Sequence, residues 1–342
     1  MDLGRRGVKL RRMMHRRQVI LATAVALAAP SVSRAQTGDA RLADLRAAAA
    51  QLPQLHSLQV MRGDEMLFAE APRGPGLEAL ANIKSCSKSV VALLLGAALD
   101  RGDIASVTAP LSDVAPRLLP RDATEGAGAI TLEDLVTLRA GLERTSGANY
   151  GGWVSSSNWV ADALRRRMVA EPGGRMLYST GSTHVLGAAL AEATGLSLLE
   201  QARQRLGRPL GIEIPPWTRD PQGYYLGGNQ MALRPTAMLK LAMLMRDGGR
   251  YGGTQVISED WIAASQVARA RSPWSGMGYG YGWFLTRSGY VLARGYGGQV
   301  IAAHPGRGLA VAITSDPTQP ARSDGYFGAL VDLLDGPVLA LA

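Results

Sequence analysis

The stretch that decides this chain's architecture is Ser85-Cys86-Ser87-Lys88-Ser89-Val90-Val91-Ala92-Leu93-Leu94-Leu95-Gly96-Ala97-Ala98-Leu99-Asp100, closed by Gly102. From Val90 onward, apolar residues fall on nearly every side of a 3.6-residue period. A helix without a polar face belongs in the centre of a protein rather than on its surface. Its start is polar, with Ser85 and Lys88 three positions apart. Residues so spaced at a helix start share one face, one turn apart, which brings the Lys88 amine within reach of the Ser85 hydroxyl.

Lysine usage sharpens this reading. The chain has 33 Arg but only four Lys (Lys9, Lys84, Lys88 and Lys240), and two of them flank Ser85. Arginine keeps its proton near neutrality, whereas a lysine that is desolvated or close to other cations can lose it. A position that keeps lysine in so arginine-rich a chain is a candidate base. The helix N-terminus adds positive potential, which favours a neutral lysine and a developing oxyanion alike. The plainer reading, a serine N-cap beside a solvated lysine, fits poorly with the apolar helix that follows. Cys86 is the only cysteine, so no intramolecular disulfide or cysteine zinc site is available. It reads as a small buried hydrophobe.

Upstream of this helix, residues 58–61 and 66–69 around Gly63-Asp64 predict a hairpin. Downstream, residues 105–225 show helical periods broken by Gly and Pro, at 131–139, 159–169 and 183–194, and 260–269 predicts a further helix. Residues 281–286, 290–294, 300–303 and 309–314 predict successive strands with tight turns such as Pro305-Gly306-Arg307-Gly308, before a closing helix over 326–341. Strands at both ends of a helical middle predict an α+β fold. One antiparallel sheet forms from both ends of the chain, with flanking helices and a mainly helical insertion. The expected boundaries are 37–104 with 226–342 for the α/β core domain, and 105–225 for the insertion.

The 342 residues carry a net charge of +9, which suggests a polyanion partner until the charge is located. Residues 1–35 hold eight Lys/Arg and one Asp; the remainder carries 29 basic and 27 acidic residues, leaving about +2. Nucleic acid is therefore not an expected partner. The basic leader reads as an export signal: Arg16-Arg17, an apolar run over 19–29, and Ser33-Arg34-Ala35 at the cleavage positions. The run is about half of the roughly 20 residues needed to span a bilayer. The expectation is a periplasmic or secreted protein without stable membrane insertion after leader removal, and the paired arginines suggest the twin-arginine route.

No G-x-S-x-G elbow, H-E-x-x-H motif or phosphate loop occurs. His56, His184 and His304 are scattered and read as core or surface residues, so neither a metal nor an organic cofactor is expected.

The motifs resemble those of the serine β-lactamase and penicillin-binding-protein superfamily, which includes class C β-lactamases, D-alanyl-D-alanine peptidases, family VIII esterases and 6-aminohexanoate-dimer hydrolases. Ser85 and Lys88 match its S-x-x-K element. Tyr178-Ser179-Thr180 resembles its Tyr-x-Asn element, and Tyr296-Gly297-Gly298-Gln299 resembles its Lys/His-Thr/Gly-Gly element on a late strand. The segments around Ile130–Leu135, Gly227–Met231 and Val256–Ile262 are similar to family segments as well, so the likeness covers roughly residues 55–335.

The resemblance implies a β-lactamase/transpeptidase-like fold and an acyl-enzyme mechanism. Ser85 would be the nucleophile and Lys88 the base, with Tyr178 as its partner. The oxyanion would lie between the Ser85 and Gln299 N–H groups, and Gly297-Gly298 would let the strand approach substrate. By itself, Tyr178 also reads as a core aromatic, and Gly297-Gly298 as a bulge or turn. Tyr279, Tyr281 and Trp283 read equally as cleft lining or core. Two departures bear on substrate: Thr180 stands where many relatives have Asn, and Tyr296 where β-lactamases have Lys. Both point towards neutral small-molecule esters or amides, with a D-alanyl peptidase, a β-lactamase and a non-catalytic ligand binder as alternatives.

Overall fold

In the computed structural model, which describes residues 29–342 and their side chains from 39 onward, the strands from the two chain ends share one sheet. β1 (Leu55–Arg62) and β2 (Glu65–Glu70) form the N-terminal hairpin. β3 (Ala270–Arg271), β4 (Gly278–Tyr279), β5 (Phe284–Leu285), β6 (Val291–Gly295), β7 (Gln299–His304) and β8 (Leu309–Ser315) follow from the C-terminal part. The order is β2-β1-β8-β7-β6-β5-β4-β3, antiparallel throughout. The seam between the two ends is the β1–β8 pair, with Leu58 opposite Ile313 and Val60 opposite Val311.

The helices of eight residues or more among the described residues are α1 (Ala29–Ala50), α2 (Ser87–Asp100), α3 (Thr180–Thr194), α4 (Pro235–Arg246) and α5 (Tyr326–Leu333), with shorter helices between them. The strands alternate between two apolar cores. Leu58, Val60, Leu292, Val300, Val311 and Ile313 pack with Leu45 of α1 and with Phe327 and Leu330 of α5. Ala293, Ile301, Ala303, Ala310 and Ala312 face the other core, with α2 and α4. Alanine predominates on that second face, which lets the helices lie close to the sheet. Burial on both faces explains why these strands read as continuous apolar runs.

The sequence places α2 at the centre, and it is there: Ser87 to Ala98 are all buried. Gly96 makes room for Trp261, since a Cβ there would sit 2.2 Å from its indole Cδ1. Several boundaries differ from expectation for identifiable reasons. Ser85 lies not in the α-helix but in a 3₁₀ turn, Lys84–Cys86, that precedes it. The helix expected over 159–169 stops at Leu164, because Val169 and Ala170 donate their N–H groups to Gly141 O instead. The one expected over 131–139 starts at a Thr131–Asp134 capping box and ends at Val136, because Leu138 turns left-handed at φ +60°. The closing helix is regular only to Leu333, then widens around Pro337. The strand expected over 281–286 contracts to β5, because Gly282 turns the chain at φ +78°.

α1, α4, β3 and β4 have no counterpart in the sequence reading. No helix among the described residues is long and apolar enough to cross a membrane. The predicted leader's basic stretch and nearly all of its apolar run lie outside the described residues.

Candidate active site

The turn that carries Ser85 is held on several sides. Ala81–Asn82 pairs with Ala232–Leu233, and Ile83 N–H donates to Met231 O at 2.9 Å. Lys84 N–H donates to Asn82 Oδ1 at 2.9 Å, and Ser87 Oγ donates to Lys84 O at 2.6 Å. Cys86 Sγ donates to Gln299 O at 3.4 Å, tying the turn to β7. Lys84 adopts φ +51°, a left-handed conformation that costs a non-glycine residue about 1 kcal/mol or more. The outcome is a sharp corner that leaves Ser85 half-buried on the wall of a cavity of about 1140 Å³.

One turn into α2, Lys88 is only 2 % exposed. Its Nζ lies 3.2 Å from Ser85 Oγ, 3.2 Å from Thr180 Oγ1 and 2.7 Å from Gly228 O. Burial pushes the ammonium pKa down to about 7, against a smaller opposing influence of Cys86. A neutral amine has two N–H donors and one lone pair. Gly228 O can only accept, and Thr180 Oγ1 can take the second N–H. The lone pair is left for the Ser85 hydroxyl proton, which is the arrangement a base for a serine nucleophile requires. A Cβ on Gly228 would lie 3.2 Å from Lys88 Nζ and 3.1 Å from Thr180 Cγ2, so glycine leaves room for the amine.

Tyr178 occupies the extended segment just before α3. Its ring stacks on Phe284 with centroids 6.5 Å apart, and Trp274 meets it edge-on at 6.3 Å. Lys88 Nζ lies 4.9 Å from the ring centroid, so the amine sits over the ring while its hydrogen-bond partners are Ser85, Thr180 and Gly228. Burial raises the Tyr178 phenol to about 12, opposed by the Ser85 side chain and by the Arg294 cation. Thr180, in the position of the Asn in the Tyr-x-Asn element, is thus a direct neighbour of Lys88.

The third element differs from its expected form. Tyr296, Gly297 and Gly298 make the turn between β6 and β7 rather than part of a strand. Gln299 does not line the cavity: it is fully buried, and its side-chain amide donates to Ser315 O at 2.7 Å. Gly297 and Gly298 have φ of +84° and +93°. A Cβ on the first would strike Asp316 O at 2.4 Å, and on the second Tyr326 Cε1 at 2.6 Å. These glycines therefore fit the turn against the protein behind it. The glycine that brings the strand and the Ser85 turn together is Gly295, where a Cβ would sit 2.4 Å from Ile83 O. Gly295 and Tyr296 line the cavity, with Tyr296 53 % exposed at its rim. The main-chain N–H groups of Ser85 and Tyr296 make no hydrogen bond to the described residues.

The cavity also holds residues that the sequence reading did not single out, among them Ser146, Tyr150, Asn229, Trp274 and Arg294. Ser146 Oγ accepts the Thr180 N–H at 2.9 Å and fixes the start of α3. Arg294 donates to Ser323 Oγ at 2.8 Å and to Ala321 O at 2.7 Å, and its guanidinium lies 3.6 Å from the Phe327 centroid. Burial lowers it to about 10. The one readable signal was the Gly227-Gly228 pair, which the resemblance picked out without a role. Tyr279, Tyr281 and Trp283 are core residues, at most 4 % exposed. Among the described residues no group of three or more His, Cys, Asp or Glu is placed to hold a metal.

Known structures with this arrangement share the fold at low sequence identity. A protein provisionally described as a 6-aminohexanoate-dimer hydrolase from Bacillus anthracis superposes with a TM-score of 0.72 at 15 % identity, over 84 % of this chain and 80 % of its own. EstCE1, a hydrolase with promiscuous acyltransferase activity, gives 0.71 at 17 % identity, over 88 % of this chain and 99 % of its own. A penicillin-binding-protein homologue from Caulobacter crescentus gives 0.70 at 18 % identity, over 87 % and 97 %. No curated protein is similar to the chain in sequence. The Beta-lactamase family model matches residues 56–333, from β1 through α5 and across the whole cavity, and the chain belongs to that family of β-lactamase-fold hydrolases.

Proposed function

We propose that the protein is a serine hydrolase that opens carboxylic esters or amides of small molecules through an acyl-enzyme on Ser85. The observation that carries this reading is the bonding of Lys88. Two fixed acceptors take its protons, and its third direction meets Ser85 Oγ at 3.2 Å. Ser85 Oγ attacks the substrate carbonyl as its proton passes to Lys88 Nζ. The tetrahedral oxyanion is received by the Ser85 and Tyr296 N–H groups, which have no other acceptor among the described residues. The C–O or C–N bond then breaks, and the proton leaves Lys88 for the departing oxygen or nitrogen. Water attacks the ester on Ser85, with Tyr178 or the Lys88–Tyr178 pair as base, and regenerates the hydroxyl.

Tyr296 in place of a lysine favours neutral substrates. One observation favours a second reading, a peptidase or lactamase acting on substrates with a free carboxylate. Arg294 lines the cavity and forms no ion pair among the described residues, although a buried cation ordinarily has a counter-charge. Export to the periplasm or medium, based on the leader, is part of the same proposal. It predicts that secreted protein begins near Gln36, which N-terminal sequencing reads.

The test is turnover of p-nitrophenyl butyrate by wild type, Ser85→Ala and Lys88→Ala. Each variant should lose roughly a thousandfold or more in kcat. Full activity in Ser85→Ala would remove the proposed nucleophile. Release of D-alanine from a D-alanyl-D-alanine peptide, or opening of a chromogenic cephalosporin, together with silence towards the ester, would select the second reading.

A further inference from the structure

His184 and Asp220 are the buried ionisable pair that the proposed chemistry does not use. Both side chains are completely buried, with His184 Nε2 3.0 Å from Asp220 Oδ2. A buried carboxylate is costly unless its oxygens are satisfied. Asp220 Oδ1 also accepts the Gln222 N–H at 2.9 Å and the Tyr224 N–H at 2.8 Å. The other ring nitrogen, His184 Nδ1, faces the Gly227 N–H at 3.4 Å. A main-chain N–H only donates, so Nδ1 carries the lone pair and the ring proton sits on Nε2, directed at Asp220. Trp153 and Trp159 meet the imidazole edge-on at 5.7 and 5.6 Å and hold its plane.

This pair ends at the general base. Gly227 lies so close to α3 that a Cβ would be 2.3 Å from Thr183 O. The next carbonyl, Gly228 O, takes the shortest of the Lys88 hydrogen bonds. Lys88's other fixed acceptor, Thr180, stands one turn before His184 on the same helix. Both groups that orient the amine are therefore anchored to one strut. A role in packing alone does not call for a buried hydrogen-bonded histidine and carboxylate, since apolar residues of similar volume stabilise a core as well or better.

We propose that Asp220 and His184 are positioning residues for the base: they fix the Gly227-Gly228 main chain and, through the Gly228 carbonyl, the direction of the Lys88 amine. The proposal rests on Lys88 being the base of the reaction above. The groups facing that amine are Ser85, Cys86, Thr180 and the Tyr178 ring, with Arg294 beyond it. Those facing His184 are Asp220 and the two tryptophans.

Two substitutions divide the contacts. In His184→Gln the amide nitrogen takes the place of Nε2, which keeps Asp220 paired and gives up the Gly227 bond. In His184→Asn the amide oxygen takes the place of Nδ1, which keeps the Gly227 bond. Asp220→Asn offers an N–H to Nε2 and forces the proton to Nδ1, where it opposes the Gly227 N–H. This variant reproduces the Gln defect if that protein does not fold.

The closing experiment has two readouts on variants that melt cooperatively: kcat for p-nitrophenyl butyrate, and the pH titration of Lys88 Nζ by nitrogen NMR on lysine-labelled protein. With only four lysines in the chain, the resonance is assigned with Lys88→Met. His184→Gln should lose about tenfold or more in kcat, as a base misplaced by a fraction of an ångström does, while His184→Asn, which keeps the Gly227 bond but gives up Asp220, should lose at least about threefold less than His184→Gln. The Lys88 midpoint should fall in His184→Gln, because the ammonium loses its carbonyl acceptor, and stay in place in His184→Asn. A midpoint that is unchanged or raised in both His184→Gln and Asp220→Asn overturns the proposal, whatever the turnover. Unchanged kcat in those variants, beside an inactive Ser85→Ala, overturns it too. Activity that survives in Ser85→Ala defeats the function reading alone, because the titration still decides the strut.

Discussion

Lys88 should leave two separate marks on pH dependence. As the proposed base it must be neutral, so kcat/KM should rise with pH through about 7, the value to which burial brings it. The second mark is on stability. The folded-state pKa lies below the ordinary lysine value of 10.5, so between about pH 7 and 10.5 the unfolded chain binds more protons than the folded one. Stability therefore rises with pH across that window and is lowest below it. Thermal melts of Lys88→Met should lack that rise; an unchanged slope would mean that Lys88 is solvated. Cys86, fully buried with its thiol pushed up by burial, should react with a thiol dye only as the protein opens. The Ser85–Lys88 pair was legible because it is local, three positions apart on one turn. Gly228 reaches Lys88 across 140 residues of chain, and no local pattern announces such a contact.

At the scale of elements, the β6–β7 hairpin and the Ser85 turn act as one unit. Gly295→Ala would press a methyl group onto Ile83 O, and we expect a loss of about 1–3 kcal/mol in urea melts, with lower kcat as the nucleophile turn shifts. Gly228→Ala should differ in kind. Its methyl group meets Thr180 Cγ2 at 3.1 Å and Lys88 Nζ and Thr180 O at 3.2 Å, contacts relieved by shifts of a few tenths of an ångström, so kcat should fall at least tenfold while the melting temperature changes less than in Gly295→Ala. Comparable losses of stability in the two variants would argue against that separation. The long apolar elements were readable from period alone: β1, β2, β6, β7, β8 and α2 all lie where the pattern places them, to within a few residues. β3, β4 and β5 are two residues each, too short to show alternation. The Tyr296–Gln299 stretch reads as strand or turn with equal ease, and only the close approach of Asp316 and Tyr326 behind its glycines settles that it turns.

For the molecule as a whole, the size of the cavity bears on the substrates of the proposed reaction. Its volume of about 1140 Å³ exceeds the roughly 300–1,000 Å³ common for small-molecule sites. Trp274 and Tyr296 stand 55 % and 53 % exposed among its lining residues. Longer acyl groups should therefore be accepted. Trp274→Ala should raise KM for p-nitrophenyl octanoate several-fold, about 1 kcal/mol of lost contact, and leave the acetate ester nearly unaffected. Equal effects on both esters would place the acyl chain elsewhere.

The β1–β8 seam has a consequence for how the protein is made. Ser57 on β1 bonds to Thr314 on β8 across 257 residues, and β7 supplies the carbonyl that anchors the Ser85 turn. At ordinary translation speeds the first hairpin waits roughly 10–50 s for its inner neighbour to be synthesised. Until then its apolar edge is open, which makes a holding chaperone useful. The Ser85 turn lacks its anchor for the same interval, so under the proposed chemistry prematurely terminated chains should be inert towards the cell's own esters.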